Sequence, residues 1–174
     1  MNQGVAAGAA AQVEEWDKEF TSPTLGSVSF DAMFTEIQRY VQSSPEDPYK
    51  LIVGADSQAK EQEVTFVTAI VLHRVGKGAR YFYQRHSHRP MASLRQRIFY
   101  EASLSLTLAG RLAERLAESG YASFNIEIHL DVGPRGDTRE LIREIVGMVT
   151  GSGFDAKIKP DSFGASTVAD KYTK

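Results

Sequence analysis

Three short runs of apolar and β-branched residues in this sequence each end in an aspartate. They are the segments 51–56, 126–131 and 156–161, which end in Asp56, Asp131 and Asp161. Such runs predict buried strands, and a strand tipped by an acid, repeated three times, is typical of an open α/β sheet that gathers carboxylates at one edge. Because crowded carboxylates repel one another, a cluster of this kind is usually explained by a bound divalent cation.

The composition bounds the class of protein. With 174 residues, 42% hydrophobic and 24% charged, the chain suits one globular domain with a substantial core. The sequence has no cysteine, which excludes disulfides, thiolate catalysis and thiolate zinc sites. No apolar run reaches the length of a membrane span, and the first residues lack the pattern of a signal peptide. We therefore expect a cytoplasmic protein without a membrane partner.

The chain divides into a short N-terminal segment and one domain. Residues 1–28 are rich in alanine and glycine at first and then polar, so we predict a flexible or loosely docked segment, with a helical turn over 14–20. Residues 29–174 form the predicted single domain. It begins with a helix capped by Ser29, whose apolar residues recur at helical spacing as far as Val41.

After this extra N-terminal helix, the hydrophobic pattern predicts the order β-β-β-α-β-α-β-α. The strands are expected over 50–56, 64–74, 79–88, 124–131 and 154–159, and the helices over 93–119, 138–150 and 164–172. The first three strands form an antiparallel meander, and helical crossovers make the fourth and fifth strands parallel to the first. The predicted fold is a five-stranded mixed α/β sheet flanked by helices, with the ends of three parallel strands at one edge.

Oxygen ligands at such an edge suit Mg²⁺ or Mn²⁺. Mg²⁺ binds a few carboxylates and keeps several waters, and two such ions about 4 Å apart can activate water and stabilise the leaving oxygen of a phosphodiester. A fourth acid would complete the site. Glu101 is one candidate, about two turns into the long helix beside its apolar stripe, and Asp170 in the last helix is another.

The middle of the sequence carries an unusual charge distribution. Between Glu63 and Glu101 there is no acid, but there are seven lysines or arginines and three histidines. A long stretch of this kind is a candidate phosphate-facing surface, or else a solvated hairpin neutralised from elsewhere in the fold. The candidate substrate-binding residues are Arg85, Arg89, Arg95 and Arg97, with Ser57, Gln58 and Lys159 beside the predicted acidic cluster.

Simpler interpretations exist for each motif taken alone. An aspartate at a strand end fits a turn, and Asp161 could cap the last helix. His129 shares a face with Asp131 but is more often a packed or hydrogen-bonded core histidine. Residues 133–136 lack the ending that makes a Walker motif specific. Actin-like ATPases share this strand order but need two such domains, for which this chain has no room.

The order of elements, with acids at the strand tips, resembles the ribonuclease H-like superfamily. Segments 54–58, 129–133 and 159–166 are similar to the signatures of a small bacterial family, the YkuK-type family of predicted ribonuclease H-related proteins. The resemblance covers roughly residues 29–174. It implies a ribonuclease H-like fold and metal-dependent hydrolysis of phosphodiesters that leaves a 3′-hydroxyl and a 5′-phosphate.

A second resemblance is local. Lys159-Pro160-Asp161, followed by Ala165-Ser166 and a short helix, resembles the Lys-Ala-Asp…Ala-Ala-Ser segment of type 2 ribonuclease H, in which the aspartate is a metal-site acid. This likeness favours Asp161 over Asp170. Type 2 enzymes carry Asp-Glu on the first strand, where this sequence has Asp56-Ser57. The missing carboxylate would come from Glu101, as type 1 enzymes take their glutamate from the first helix.

The leading hypothesis is a nuclease that binds RNA, DNA or a hybrid and uses Mg²⁺ or Mn²⁺. Asp56, Asp131 and Asp161 would be the core ligands, and Glu101 the favoured fourth. The alternative is a non-catalytic nucleic-acid or protein interaction module on the same fold, and a third hypothesis is a small-molecule phosphohydrolase. The aromatic strand segment 81–83 would suit a homodimer.

Overall fold

The computed structural model describes residues 18–121, 123–162 and 164–173, and within them seven strands form one mixed sheet. The strands are β1 (Phe20–Ser22), β2 (Gly26–Val28), β3 (Tyr49–Ala59), β4 (Val64–Arg74), β5 (Gly78–His88), β6 (Ile126–His129) and β7 (Asp155–Lys157). The helices are α1 (Phe30–Gln42), α2 (Leu94–Glu118), α3 (Ile142–Gly151), which follows a 3₁₀ turn over Arg139–Leu141, and α4 (Ala165–Thr173). The spatial order of strands is β2-β1-β5-β4-β3-β6-β7.

The five strands predicted from the sequence form the contiguous part β5-β4-β3-β6-β7. Strands β3, β4 and β5 are an antiparallel meander, β6 pairs in parallel with β3, and β7 pairs in parallel with β6. The predicted directions are therefore those observed. They place the C-terminal ends of β3, β6 and β7 at the same edge of the sheet.

The sheet has seven strands instead of the predicted five, because residues 20–28 form a β-hairpin. Strand β1 pairs with β2 and lies against β5, with Thr21 opposite Tyr83, and Phe20 is fully buried. Gly26, at φ 76°, takes a backbone conformation that few other residues adopt. The predicted domain start at residue 29 thus omits two strands of the sheet. Residues 1–17, including most of the predicted 14–20 turn, lie outside the described part.

Helices cover both faces of the sheet. On one face α1, α2 and α3 bury the main core, which includes Leu51, Val53 and Phe66. On the other face α4 packs Ala165 and Ala169 against a smaller cluster of β3 and β4 residues, Ile52, Val67, Ala69 and Val71. Alternate residues of β3 therefore serve two different cores, as the period of a strand requires.

Helix α4 approaches the sheet closely at its start. The backbone N–H of Gly164 donates to Nδ1 of His129 over 3.2 Å, and a Cβ at position 164 would lie 3.2 Å from the His129 ring and from Ile52. A side chain there would push the helix away from the strand ends. No helix among the described residues is long and apolar enough to cross a membrane.

Candidate functional site

Asp56 and Asp131 lie side by side just past the parallel pairing of β3 with β6, and Asp56 lies within β3, which continues to Ala59 instead of ending at residue 56 as predicted. Gly54 of β3 is opposite His129 of β6, so the residues two positions further along are Asp56 and Asp131. Pairing with the next strand continues past β6, because the Leu130 N–H donates to the Lys157 carbonyl over 2.9 Å. The two carboxylates are close enough for the charge of Asp131 to raise the pKa of Asp56. This part of the predicted cluster is present.

Glu101 reaches the same strand ends from helix α2. Its side chain is 7% exposed, and Oε1 accepts a 2.5 Å hydrogen bond from the Ser57 hydroxyl. Burial raises the pKa of Glu101 to about 8, and the charges of Asp56 and Asp131 act in the same direction. The Ser57 hydrogen bond and the Arg97 charge oppose the increase. The sequence pattern placed Glu101 beside the apolar stripe of the helix, whereas the structure buries it with Ala102 and Ser105.

Asp170 is the acid that helix α4 brings to Asp56. Burial raises the pKa of Asp56 to about 6, with further increases from the charge of Asp131 and from the charge and hydrogen bond of Asp170. The hydroxyl of Thr173 lies 3.5 Å from Oδ2 of Asp56. The helix is held in place by Tyr172, whose ring stacks on Tyr83 with centroids 3.7 Å apart.

Asp161 is in a different environment from Asp170. Both side chains are exposed, but Asp161 lies in a turn, where its backbone N–H donates to the Ile158 carbonyl over 2.7 Å. Asp170, and not Asp161, is the acid of this segment that forms the hydrogen bond with Asp56. The likeness to type 2 ribonuclease H favours Asp161, but the contacts in the structure favour Asp170.

Lys159 neutralises one acid of the group. Its Nζ lies 2.6 Å from Oδ1 of Asp131, and its backbone N–H donates to the Val132 carbonyl over 2.9 Å. His129, one pair deeper in the sheet, is buried, and its Nε2 lies 3.1 Å from Glu127. Burial lowers the pKa of His129, against the effect of Glu127. This histidine serves packing and hydrogen bonding, which is the more common role in a core.

The arginines expected to contact phosphate have different surroundings. Arg85 and Arg89 are exposed, and Arg85 is in the same cross-strand row as Asp56, with Val67 between them. Arg95 instead contacts both carboxylate oxygens of Glu144 at 2.9 Å, and Arg97 acts on Glu101. Gln58 is exposed just past Asp56.

Part of the acid-free segment is neutralised from elsewhere in the fold. Arg74 and Lys77 both pair with Asp47, and Arg80 lies over the ring of Tyr40 with its guanidinium carbon 4.8 Å from the centroid. The solvated-hairpin interpretation therefore holds for the far end of β4 and the start of β5. The end of β5 nearest Asp56 keeps the exposed arginines.

Asp56, Glu101, Asp131 and Asp170 form one electrostatic group, which we call the acidic edge. Across residues 18–121, 123–162 and 164–173, no three acids or histidines are arranged as they stand to hold a metal ion. The donor chemistry nevertheless fits Mg²⁺ or Mn²⁺. All four side chains offer the oxygen ligands that these ions prefer. Two of them carry raised pKa values that a neighbouring cation would lower.

The strand order, the helices on both faces and the acids at the strand ends define a ribonuclease H-like protein. The sequence matches the family model described as Ribonuclease H-like over residues 32–174, and the chain belongs to this family. It is 36% identical over 158 residues to "Uncharacterized protein YkuK" of Bacillus subtilis (strain 168), across 84% of this chain and 92% of that protein. The YkuK-type resemblance is thus confirmed. No solved structure gives a significant match.

Proposed function

We propose that the protein is a metal-dependent nuclease that hydrolyses phosphodiester bonds of RNA or DNA at the acidic edge with Mg²⁺ or Mn²⁺. The observation that carries this proposal is the convergence of four acids from β3, α2, the end of β6 and α4. A fold needs no such convergence for stability, since buried like charges repel one another. Binding of hard cations by these carboxylates would explain why the fold brings them together.

The side chains have distinct roles in this proposal. Asp56, on β3, is next to the other acids, and Asp56, Asp131 and Asp170 would together hold the cations. Ser57 holds the carboxyl group of Glu101 at the strand end through its hydrogen bond. When bound, the cations supply activation of water and stabilisation of charge on the leaving oxygen. Arg85 and Arg89 are the exposed cations placed to bind backbone phosphates.

The proposal is tested by incubating the protein with an RNA–DNA hybrid, single strands and branched DNA. We expect cleavage with Mg²⁺ or Mn²⁺, leaving 3′-hydroxyl and 5′-phosphate ends, and none with EDTA. Calorimetric titration with Mn²⁺ should show binding that Asp131→Asn weakens by at least about 10-fold, because a carboxylate ligand is lost. Cleavage that is unaffected by EDTA, or Mn²⁺ binding that is unchanged in Asp131→Asn, would refute the proposal.

A paired substitution identifies the acid contributed by the C-terminal segment. Asp170→Asn is expected to reduce the cleavage rate by about 10- to 100-fold, because it removes an oxygen ligand next to Asp56. Asp161→Asn, in the exposed turn, should stay within about threefold of the wild type. Both rates are measured at the same Mn²⁺ concentration. The reverse ranking would restore Asp161 as the ligand and contradict the assignment to Asp170.

One observation favours a second candidate, a non-catalytic interaction module on the same fold. The described acids are not arranged as a ready metal site, and Glu101 has a pKa of about 8, so it carries a proton at neutral pH in the absence of a cation. Absence of Mn²⁺ binding at millimolar concentration would support this module. Cleavage of free nucleotides alone would indicate the phosphohydrolase. The expected cytoplasmic location and homodimer stay predictions.

A further inference from the structure

A groove of about 480 Å³ lies beside the acidic edge, between the loop after β6 and the loop after β7. It is lined by Gly133, Pro134, Arg135, Lys159 and Pro160. A volume of this size is in the range of sites that bind small molecules. Two proline rings make much of its surface apolar, and its two charged residues are both cations. The groove is therefore suited to a flat apolar group that carries a negative charge.

Lys159 belongs both to this groove and to the acidic edge. Its side chain runs along Gly133, where a Cβ would lie 3.0 Å from the Cβ of Lys159, so a larger residue at 133 would displace it. Its amine reaches Asp131, yet the side chain is 57% exposed. An ion pair this exposed contributes little to the stability of the fold. The amine can therefore exchange Asp131 for another anion without disturbing the fold.

The groove has the chemistry that a nucleotide requires. An arginine guanidinium and apolar rings provide surfaces on which a nucleobase can stack, and Arg135 is exposed there. At the end next to Asp131, the amine of Lys159 is available for a phosphate oxygen. A single residue, Lys159, connects the surface on which the nucleobase would stack with the acidic edge.

We propose that this groove binds one unpaired nucleotide of the nucleic acid, with Lys159 transferring from Asp131 to its phosphate. The inference rests on the proposed function, because it places the nucleotide next to the bond to be cleaved. A base that is stacked and paired within a duplex cannot enter a groove of this kind. The groove therefore selects single-stranded or locally opened nucleic acid.

The test measures binding of a fluorescent single-stranded oligonucleotide by anisotropy in EDTA, so that cleavage does not interfere. Lys159→Met and Arg135→Ala are each expected to weaken binding about 5- to 10-fold and to reduce the salt slope by about 0.7. The matched control is Arg139→Ala, an exposed arginine outside the groove, which should change affinity less than about twofold. A blunt duplex should bind the wild type and both groove variants alike.

Equal losses in the control and groove variants, or equal losses for duplex and single strand, would overturn the inference. Failure of the wild type to bind the single strand would also overturn it. Cleavage assays separate this inference from the proposed function. If Mg²⁺-dependent cleavage of single strands is unchanged in both groove variants, the nucleotide-binding role of the groove is refuted and the nuclease proposal is retained. Groove-dependent binding without any cleavage refutes the nuclease and supports the groove as a nucleotide site.

Discussion

Replacement of Asp56 by Asn is expected to reduce the Mg²⁺- or Mn²⁺-dependent cleavage rate by at least about 100-fold, since loss of an outer-shell partner alone costs 10- to 100-fold in metal sites. Asp56 is the residue on which the other acids act: the charges of Asp131 and Asp170 both raise its pKa. An amide keeps the shape of the side chain but loses its charge and one acceptor oxygen. The measurement is the initial rate on the preferred substrate at saturating Mn²⁺.

The control for this substitution is Glu61→Gln, which removes one negative charge from the exposed turn that follows β3. Its rate should stay within about twofold of the wild type, because an exposed acid has little influence through water. Thermal unfolding must show that Asp56→Asn is folded. Because the substitution relieves repulsion in a buried group, we expect the variant to be at least as stable as the wild type. An active Asp56→Asn protein would refute the nuclease assignment.

The metal-free protein is expected to be more stable at about pH 5.5 than at about pH 8.5, because of Glu101. Burial raises its pKa in the folded protein to about 8, against an ordinary value of 4.5 for a glutamate. Between these values the folded state holds a proton that the unfolded state has released, so stability falls as pH rises and levels off above about 8. Converted at 1.36 kcal/mol per pH unit from pH 5.5 to the pKa of about 8, the loss is on the order of 3 kcal/mol. The raised pKa of Asp56 also makes the folded protein less stable as pH rises.

Urea unfolding in EDTA at the two pH values measures this effect, and Glu101→Gln is its control. The glutamine variant cannot ionise, so its stability should lose much less between the two pH values, while the titration of all other groups remains. The difference between the two proteins isolates the contribution of Glu101. An identical pH dependence in both would show that Glu101 ionises normally in the folded state. Addition of Mn²⁺ at the higher pH should recover more stability in the wild type than in Glu101→Gln, which lacks one of the four carboxylates.

The sequence was sufficient to predict the pairing of Asp56 with Asp131. Each follows a run with a clear apolar pattern, and the handedness of crossover connections then fixes the edge at which both lie. The choice between Asp161 and Asp170 was not accessible in this way. It depends on how α4 is rotated against the sheet, which is set by Ala165, Ala169 and the stacking of Tyr172 on Tyr83. Such long-range packing leaves no short-range signal.

The predicted number of strands was wrong for a related reason. Strands β1 and β2 have three residues each, too few to show an alternating pattern, and β1 is stabilised by contact with β5, which follows it by more than fifty residues. Glu101 is an intermediate case. Helical spacing placed it beside the apolar stripe, but its burial depends on the Ser57 hydroxyl at the end of β3.

The hairpin of β1 and β2 has a consequence for self-association. With Thr21 set against Tyr83, the outer side of β5 already has a neighbour, and the ring of Tyr83 is covered by Tyr172. A second molecule therefore cannot add its own strand at this part of β5, and the sheet instead terminates in two three-residue strands, β2 and β7, which offer few free backbone groups. A chain shortened to the family-matched region from residue 32 would lose β1 and β2. The edge of the long strand β5 would then be unpaired and open to aggregation with other molecules.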